Sequence, residues 1–217
     1  MPADRHPEAP RLSRDLEIRA VDGPLRDGDS FAGLALAGVA GTARVDGVEC
    51  SDVVLRDPDL SRAELRDCAF RDAVFANPNL ATTTIRGGSL TRVLVDGGRL
   101  TGLQVAAADL RDCLWRSCGA DMATIRHTQL THVTFDGCSL READFSGMRG
   151  EHVRFVDCDL RGAAFHHTEL ARSEMRRCAL DGIEGVSGLR GVALELDAIV
   201  GLAPVMAHAL GIGLLES

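Results

Sequence analysis

The sequence predicts an all-β fold, a solenoid whose coils have four short sides each, followed by a short helical segment at the C-terminus. Three observations predict it: a hydrophobic repeat of five residues, a longer periodicity of 20 residues, and a break in both patterns after Leu180. Internal repeats of this kind decide the fold before any single motif is considered.

The five-residue repeat runs through most of the chain. Every fifth residue from Val45 to Leu180 is a sizeable apolar residue or a cysteine, except Ala120 and Gly150, and the position two before it is mostly small. A step of five spreads apolar residues around an α-helix and alternates them across a straight strand. The pattern therefore predicts a chain that turns a corner once every five residues and points its large and small apolar residues inward.

The 20-residue periodicity sets the number of sides. Cys118, Cys138, Cys158 and Cys178 recur at this spacing, and so do Pro58 and Pro78. Four sides per coil follow, and residues 43–182 make seven coils, a rod of roughly 34 Å at ~4.8 Å per coil. Phe31 and Leu36 fit the pattern one residue out of phase, so we expect about eight coils in all.

Composition limits the classes of function. The chain of 217 residues has 45% hydrophobic residues and a net charge of -8, which disfavours direct binding to nucleic acid. It contains no apolar run of the ~20 residues that span a bilayer, so we expect a soluble, cytoplasmic protein. It also lacks a phosphate-binding loop, a nucleophile motif and a metal motif, and we expect neither enzymatic activity nor a cofactor.

The residues that suggest chemistry are explained by the repeat. The cysteine and tryptophan of "RDCLW", residues 111–115, occupy inward positions, where we expect them to fill the core. Acidic residues flank an inward residue in pairs such as Asp57 with Asp59. The histidines share one outward position, where a solvated surface is favoured over a metal site: His127, His132, His152 and His167.

After Leu180 the spacing becomes helical. Asp197 is the predicted N-cap, Pro204 is expected to kink the helix or to start a second one, and Gly211 is expected to end it. The segment either caps the last coil or forms a homodimer interface, and its apolar content favours the dimer. The candidate interface residues are Ile199, Val200, Leu202, Val205, Met206, Leu210 and Leu214. The predicted divisions are a tail and cap (1–24), the coils (25–185) and the helical segment (186–217).

Uninterrupted five-residue repeats, in stretches such as "ADLRDCLW" and "CDLRGAAF", resemble the pentapeptide repeat proteins over about residues 31–185. This resemblance implies a right-handed quadrilateral β-helix. The narrower resemblance is to the branch that confers quinolone resistance or self-immunity to topoisomerase poisons, of the loopless actinobacterial type. It implies a dimeric rod that acts on DNA gyrase, a bacterial type II topoisomerase, by imitating a DNA duplex.

Charge supports this mimicry in patches. Residues 45–75 contain eight acidic residues and four arginines, and we expect gyrase contacts among Asp52, Asp57, Asp59, Asp72, Asp157 and Asp159. The alternative function is a structural or interaction scaffold with an unrelated partner. A continuous acidic track favours gyrase binding, whereas a mosaic of Arg and Asp favours the scaffold.

Overall fold

In the computed structural model, which describes residues 6–20, 24–40 and 43–213, the chain is an all-β parallel solenoid of about nine turns with one C-terminal helix. The predicted fold class is confirmed. Its strands are β1 (Glu17–Ala20), β2 (Ser30–Ala37), β3 (Arg44–Asp46), β4 (Glu49–Arg56), β5 (Glu64–Arg66), β6 (Ala69–Ala76), β7 (Thr84–Arg86), β8 (Ser89–Asp96), β9 (Gln104–Ala106), β10 (Asp109–Arg116), β11 (Thr124–Arg126), β12 (Gln129–Asp136), β13 (Arg149–Val156), β14 (Glu169–Ala171), β15 (Glu174–Arg176) and β16 (Ala193–Leu194). A short 3-10 helix (Val186–Leu189) precedes β16, and α1 (Leu196–Ala209) follows it.

The strands form two parallel sheets on the sides of the rod. The larger runs β1-β2-β4-β6-β8-β10-β12-β13-β15-β16, with β14 beside β13, and its eight-residue strands cover two sides of a coil. The smaller runs β11-β9-β7-β5-β3 on a third side. The remaining side is held by isolated bridges such as Asp59 to Asn79 and Asn79 to Arg99. The sheet extends beyond the predicted repeat region at both ends, through β1 and β16.

The register confirms the 20-residue coil. Cys113 pairs with Val133, and Val133 pairs with Val153. The coil from β2 to β4 is one residue shorter, since Leu36 pairs with Leu55, as the phase shift in the sequence predicts. The coil from β1 to β2 is shorter still, since Glu17 pairs with Leu34. Stacking therefore places like positions of successive coils directly above one another.

The corners of each coil lie two residues after the large inward residue. There the backbone takes a positive φ, for example 54° at Asp52 and 48° at Asp57. This left-handed conformation costs most residues ~1–2 kcal/mol, and Gly, Asn and Asp adopt it most readily. The frequency of Asp and Gly at these positions thus reflects the turn that each side requires.

The core is a set of ladders parallel to the rod. Trp115 is 2% exposed and meets the ring of Phe135 edge-on at 5.3 Å, while Phe135 stacks on Phe155 at 5.0 Å. Gly150, an exception in the inward column, leaves space that Leu170 and Val153 fill, since a Cβ there would lie 2.6 Å from Leu170 Cδ2. The core-filling role of Trp115 is confirmed.

Six of the seven cysteines pack in the small inward positions, and Cys50 lies in the large inward column. All seven are unpaired thiols, and each of those in the 20-residue ladder donates to a backbone carbonyl of the preceding coil, as Cys138 does to Trp115 at 3.3 Å. Burial raises the pKa of Cys113 to about 12, so its thiol is protonated and unreactive at neutral pH. The cysteine and the tryptophan of "RDCLW" are thus parts of the core.

Candidate interaction surfaces

The outer surface of the rod is a mosaic of ion pairs between successive coils. An arginine of one coil binds a carboxylate of the coil above or below, 20 residues away, with N···O distances of 2.6–2.8 Å. These pairs are Arg92 with Asp72, Arg116 with Asp96, Arg141 with Asp121, Arg154 with Glu174, and Arg177 with Asp157. The charges of these ten side chains are consequently neutralised by close partners.

Three of the six candidate gyrase contacts belong to this mosaic. Asp72 accepts two hydrogen bonds from Arg92 at 2.7 Å each, and Asp157 is held in the same way by Arg177. Asp159 pairs with Arg161, two residues away in its own coil. The arginine beside each one lowers the pKa of that carboxyl, so all three are ionised at neutral pH and none is poised as a general acid.

The other three candidates have neutral partners. Asp57 accepts a hydrogen bond from Asn77 at 2.8 Å, and Asp59 accepts one from Asn79 at 2.9 Å. Within the described residues no arginine forms an ion pair with either carboxylate. We call Asp57 and Asp59, which flank Pro58, the acidic corner. Asp52 is bound instead by the N-terminal segment, since it accepts from the backbone N–H of Ser13 at 2.7 Å.

Replacing Asp72 with Asn is expected to lower the free energy of unfolding at pH 7. Its carboxylate and Arg92 are only 14% and 18% exposed, which places the loss between the ~0–1 kcal/mol of surface pairs and the ~3–5 kcal/mol of buried ones. Because the folded pKa of Asp72 is depressed, this stability is present above its unfolded pKa of ~3.9 and disappears as the pH falls through the folded value. Urea unfolding of both proteins at pH 7 and at pH 3 checks this, and an equal difference at the two pH values contradicts it.

His127 and His167 are exposed as the sequence predicts, whereas His132 and His152 are less solvated than expected. His132 and His152 stack with ring centroids 4.9 Å apart, and their side chains are 19% and 12% exposed. Asp112, on the coil before His132, has its Oδ1 atom 3.5 Å from His132 Nδ1. In the described part of the chain, no three His, Cys, Asp or Glu side chains converge on a position that could hold a metal ion.

Helix α1 has one face against the last coil and one face exposed. Leu202 is 3% exposed, and Ala198 and Met206, one turn away on either side, are half-buried against the same core. The apolar residues on the other face are exposed: Leu196, Ile199, Val200, Val205 and Leu210. The helix thus caps the rod and also presents an uncovered apolar surface.

This arrangement corrects part of the predicted interface. Leu202 and Met206 pack within their own chain, because the i, i+4 spacing from Ala198 directs them to the last coil. Ile199, Val200, Val205 and Leu210 remain on the exposed side, and Leu214 lies outside the described residues. Asp197 is in the first turn and Glu195 is the N-cap, while Pro204 lies inside one continuous helix. Gly211, with φ +71°, follows the helix end as predicted.

The surface offers little concave space. A groove of about 500 Å³ near the C-terminal coils is lined by Arg149, Glu151 and Glu169, among others. Three of its four charged side chains form ion pairs: Arg149 binds Glu169 at 3.4 Å, and Glu151 binds Arg172, outside the lining, at 2.7 Å. The part of the chain that the structure describes also contains no helix long and apolar enough to cross a membrane.

Residues 89–165 and 108–185 match the family model described as the pentapeptide repeat region. These residues belong to the pentapeptide repeat family. The preceding coils keep the same pentapeptide register, from Val45 paired with Leu65 onward. The five-residue repeat that the sequence predicts therefore runs through the matched residues and through the coils before them.

Comparison with solved structures finds similarities of low identity. No curated protein matches this chain. A trypsin-treated variant of QnrB1, a plasmid-mediated fluoroquinolone resistance protein, is 17% identical over 86% of this chain and 100% of its own, with a TM-score of 0.43. HetL, a pentapeptide repeat protein involved in the regulation of heterocyst differentiation in the cyanobacterium Nostoc sp. strain PCC 7120, is 15% identical over 80% of this chain and 87% of its own, with a TM-score of 0.43. These similarities assign no partner to the chain.

Two features of the surface were missed by the sequence reasoning. The N-terminal residues reach Asp52 and Asp72, and an outward column of one sheet side is apolar: Val54, Val74, Leu94 and Leu114. The second was visible in the sequence as an apolar residue every 20 positions, one residue before the large inward column. The first had no local signal, because it joins residues 39 and 61 positions apart.

Proposed function

We propose that this chain is a non-enzymatic, protein-binding rod that forms a homodimer through α1 and binds DNA gyrase in the cytoplasm, where it protects gyrase from a poison such as a quinolone or inhibits it. The observation that carries the proposal is the exposed apolar face of α1 at the end of an uninterrupted stack of coils. The narrower resemblance carried by the repeats supplies the partner.

The exposed face of α1 has the character of a protein interface. Leu196 and Val200 in α1 and Leu210 at its C-cap are 73%, 65% and 76% exposed. Exposed apolar clusters of this kind are costly in water and mark interaction sites. A second copy of the same helix is the partner that a closed two-fold dimer requires.

Pairing at the C-terminal ends would double the length of the rod. About nine turns at ~4.8 Å give roughly 43 Å per chain and roughly 86 Å for two. At ~3.4 Å per base pair this corresponds to about 25 base pairs of B-DNA. The length supports an object that can lie in a groove made for a DNA duplex.

Charge restricts how the rod could imitate DNA. The ion-pair mosaic disfavours a continuous acidic track along a single chain. Of the three candidates without an arginine partner, Asp52 is bound by the N-terminal segment, which leaves the acidic corner. We therefore place the electrostatic contact with a basic enzyme surface at Asp57 and Asp59. The seven free thiols agree with a reducing compartment such as the cytoplasm.

Replacing Ile199 and Val200 with Glu is expected to halve the mass measured by light scattering at micromolar concentration. Both side chains are exposed in the single chain, so the charges would disrupt the interface without disturbing the core. Met122→Glu is the matched control, because Met122 is 54% exposed on the side of the rod. A wild-type protein that is already a monomer contradicts the proposed interface.

A gyrase supercoiling titration, with and without a quinolone, tests the function. We expect wild-type protein at tens of micromolar either to inhibit supercoiling or to reduce drug-induced DNA cleavage. Replacing both Asp57 and Asp59 with Asn should raise the effective concentration roughly fivefold, since two exposed charge contacts contribute about 1 kcal/mol together.

The matched control removes the same net charge elsewhere. Asp157 and Asp159 occupy the same two columns five coils away, but each has an arginine partner. Replacing both with Asn should change the effective concentration much less than the Asp57 and Asp59 variant does. Equal effects of the two double variants would show that net charge, and not the acidic corner, governs binding.

The second candidate is a scaffold for an unrelated protein partner. The observation that favours it is the mosaic of arginine and carboxylate pairs, which offers many partners short-range polar contacts and offers a basic enzyme little long-range attraction. Absence of any effect in the supercoiling titration, with a folded dimer present, would favour this candidate.

A further inference from the structure

The N-terminal segment 6–13 lies along the side of the rod and crosses successive coils. Its backbone N–H groups donate to three aspartates that share one column of corner positions, in which Arg92 separates Asp72 from Asp112. The bonds are Ser13 N to Asp52 Oδ1 at 2.7 Å, Arg11 N to Asp72 Oδ1 at 2.9 Å and Glu8 N to Asp112 Oδ1 at 3.4 Å. The segment runs onward from there, since the His6 ring lies 2.8 Å from Arg154.

The path of the segment requires an extended backbone. Asp52 and Asp112 are three coils apart, about 14 Å at ~4.8 Å per coil. Five residues separate Ser13 from Glu8, and they cover about 16 Å in a polyproline II conformation but only about 7.5 Å in an α-helix. Pro7 and Pro10 suit that conformation, and their spacing of three places both rings on one face of it.

The same segment covers apolar surface on the rod. Pro7, Pro10 and Leu12 are half-buried although they belong to no strand or helix. Beside the aspartate column, in register along the sheet, lies the outward apolar ladder: Val54, Val74, Leu94 and Leu114. These ladder residues are themselves half-buried.

The burial of Thr134 shows that this side of the rod is closely covered near the N-terminal segment. It continues the apolar ladder after Leu114 at an outward position, yet it is 6% exposed. Its hydroxyl is buried and has no hydrogen-bond partner among the residues that the structure describes. Thr134 lies between the coils of Asp112 and Arg154, the last two contacts of the segment.

We propose that this side of the rod, formed by Asp52, Asp72, Asp112 and the apolar ladder, is a docking groove for an extended, proline-containing segment of a partner protein, and that residues 6–13 occupy it in the free chain. The aspartates accept backbone N–H groups, and the ladder accepts proline rings and an aliphatic side chain. The recognised chemistry is therefore an extended peptide with prolines three apart. This peptide-binding role is separate from the proposed binding to gyrase and does not depend on it.

The segment is suited to exchange. It contributes no backbone-to-backbone ladder to the sheet, and its bonds to the aspartate column come from three exposed N–H groups and the Ser13 hydroxyl, which also donates to Asp52. Because it is tethered, it competes with an external peptide at an effective concentration in the millimolar range. A partner segment must therefore bind better than residues 6–13 or arrive when they are released.

The test opens the groove in the full-length protein. Proline at positions 11 and 13 removes two of the donating N–H groups without touching the rod, so the Arg11→Pro, Ser13→Pro variant should release the segment. A fluorescent peptide of residues 6–16 is then titrated into this variant and into wild type. We expect at least about tenfold tighter binding to the variant, because the tethered segment no longer competes.

Two controls define the contact. The same peptide with proline at positions 11 and 13 should not bind the open variant. Adding Asp52→Asn to the open variant should weaken binding of the unmodified peptide. Adding Asp57→Asn, at a neighbouring corner of the same coil, should leave that binding unchanged. Hydrogen exchange at Arg11 and Ser13 in the wild-type protein should be slowed, and Asp52→Asn should accelerate it at Ser13. Equal peptide binding to wild type and open variant, binding that survives the proline peptide, or unprotected amides in wild type would overturn the proposal.

Discussion

Replacing Phe135 with Ala is expected to lower the free energy of unfolding by about 3–5 kcal/mol. The ring is fully buried and contacts Trp115, Phe145 and Phe155 at centroid distances of 5.0–6.0 Å, so its removal leaves a cavity at the centre of the aromatic ladder. The coils above and below cannot collapse into this space, because their spacing is fixed by the sheet. Urea unfolding followed by circular dichroism measures the loss.

Phe135→Leu is the control for this variant. Leucine keeps most of the volume and all of the apolar character, so the loss should stay below about 1.5 kcal/mol. A loss for Phe135→Ala as small as that for Phe135→Leu would show that the ladder tolerates a cavity, contrary to the close packing described above.

Replacing Gly98 with Ala is expected to lower the free energy of unfolding more than the same change at the neighbouring Gly97. A Cβ at Gly98 would lie 2.3 Å from the carbonyl oxygen of Pro78, whose oxygen accepts a hydrogen bond from Arg99 at 2.8 Å. The φ of +91° adds left-handed strain. Relief requires the two coils to separate locally, so we expect a loss of about 3 kcal/mol or more from strain and overpacking together.

Gly97→Ala separates these two causes. Gly97 also has a positive φ, +71°, but a Cβ there would meet open space. Its replacement should cost about 1–2 kcal/mol, the conformational part alone. Similar unfolding free energies for the two variants would mean that the close approach of the coils at Pro78 contributes nothing.

The coils could be predicted from the sequence because burial in this fold repeats with the chain itself. Val45 and its successors every five residues point inward, and the offset of 19 residues between Leu36 and Leu55 was visible as a phase shift. Each of these inferences needs only neighbours within one coil or the next, which the periodicity encodes.

The surfaces could be predicted only in part, because they depend on contacts that periodicity does not encode. Asp72 and Asp57 look alike in the repeat, yet one meets Arg92 and the other Asn77. Leu202 and Val200 share one apolar helix, but docking on the last coil buries only the first. The path of residues 6–13 depends on a chain that leaves the repeat altogether.

The central claim is that the paired rod occupies the surface of gyrase that receives a DNA duplex, and its most direct measurement is displacement of DNA. Gyrase is bound to a fluorescent duplex, the protein is titrated in, and anisotropy reports the release of the duplex. We predict release by wild-type protein at tens of micromolar, weaker release by the Ile199→Glu, Val200→Glu variant, and a weaker effect as salt rises, because screening at 0.15 M acts within ~8 Å. Retention of the duplex at every concentration of folded wild-type protein would contradict the claim.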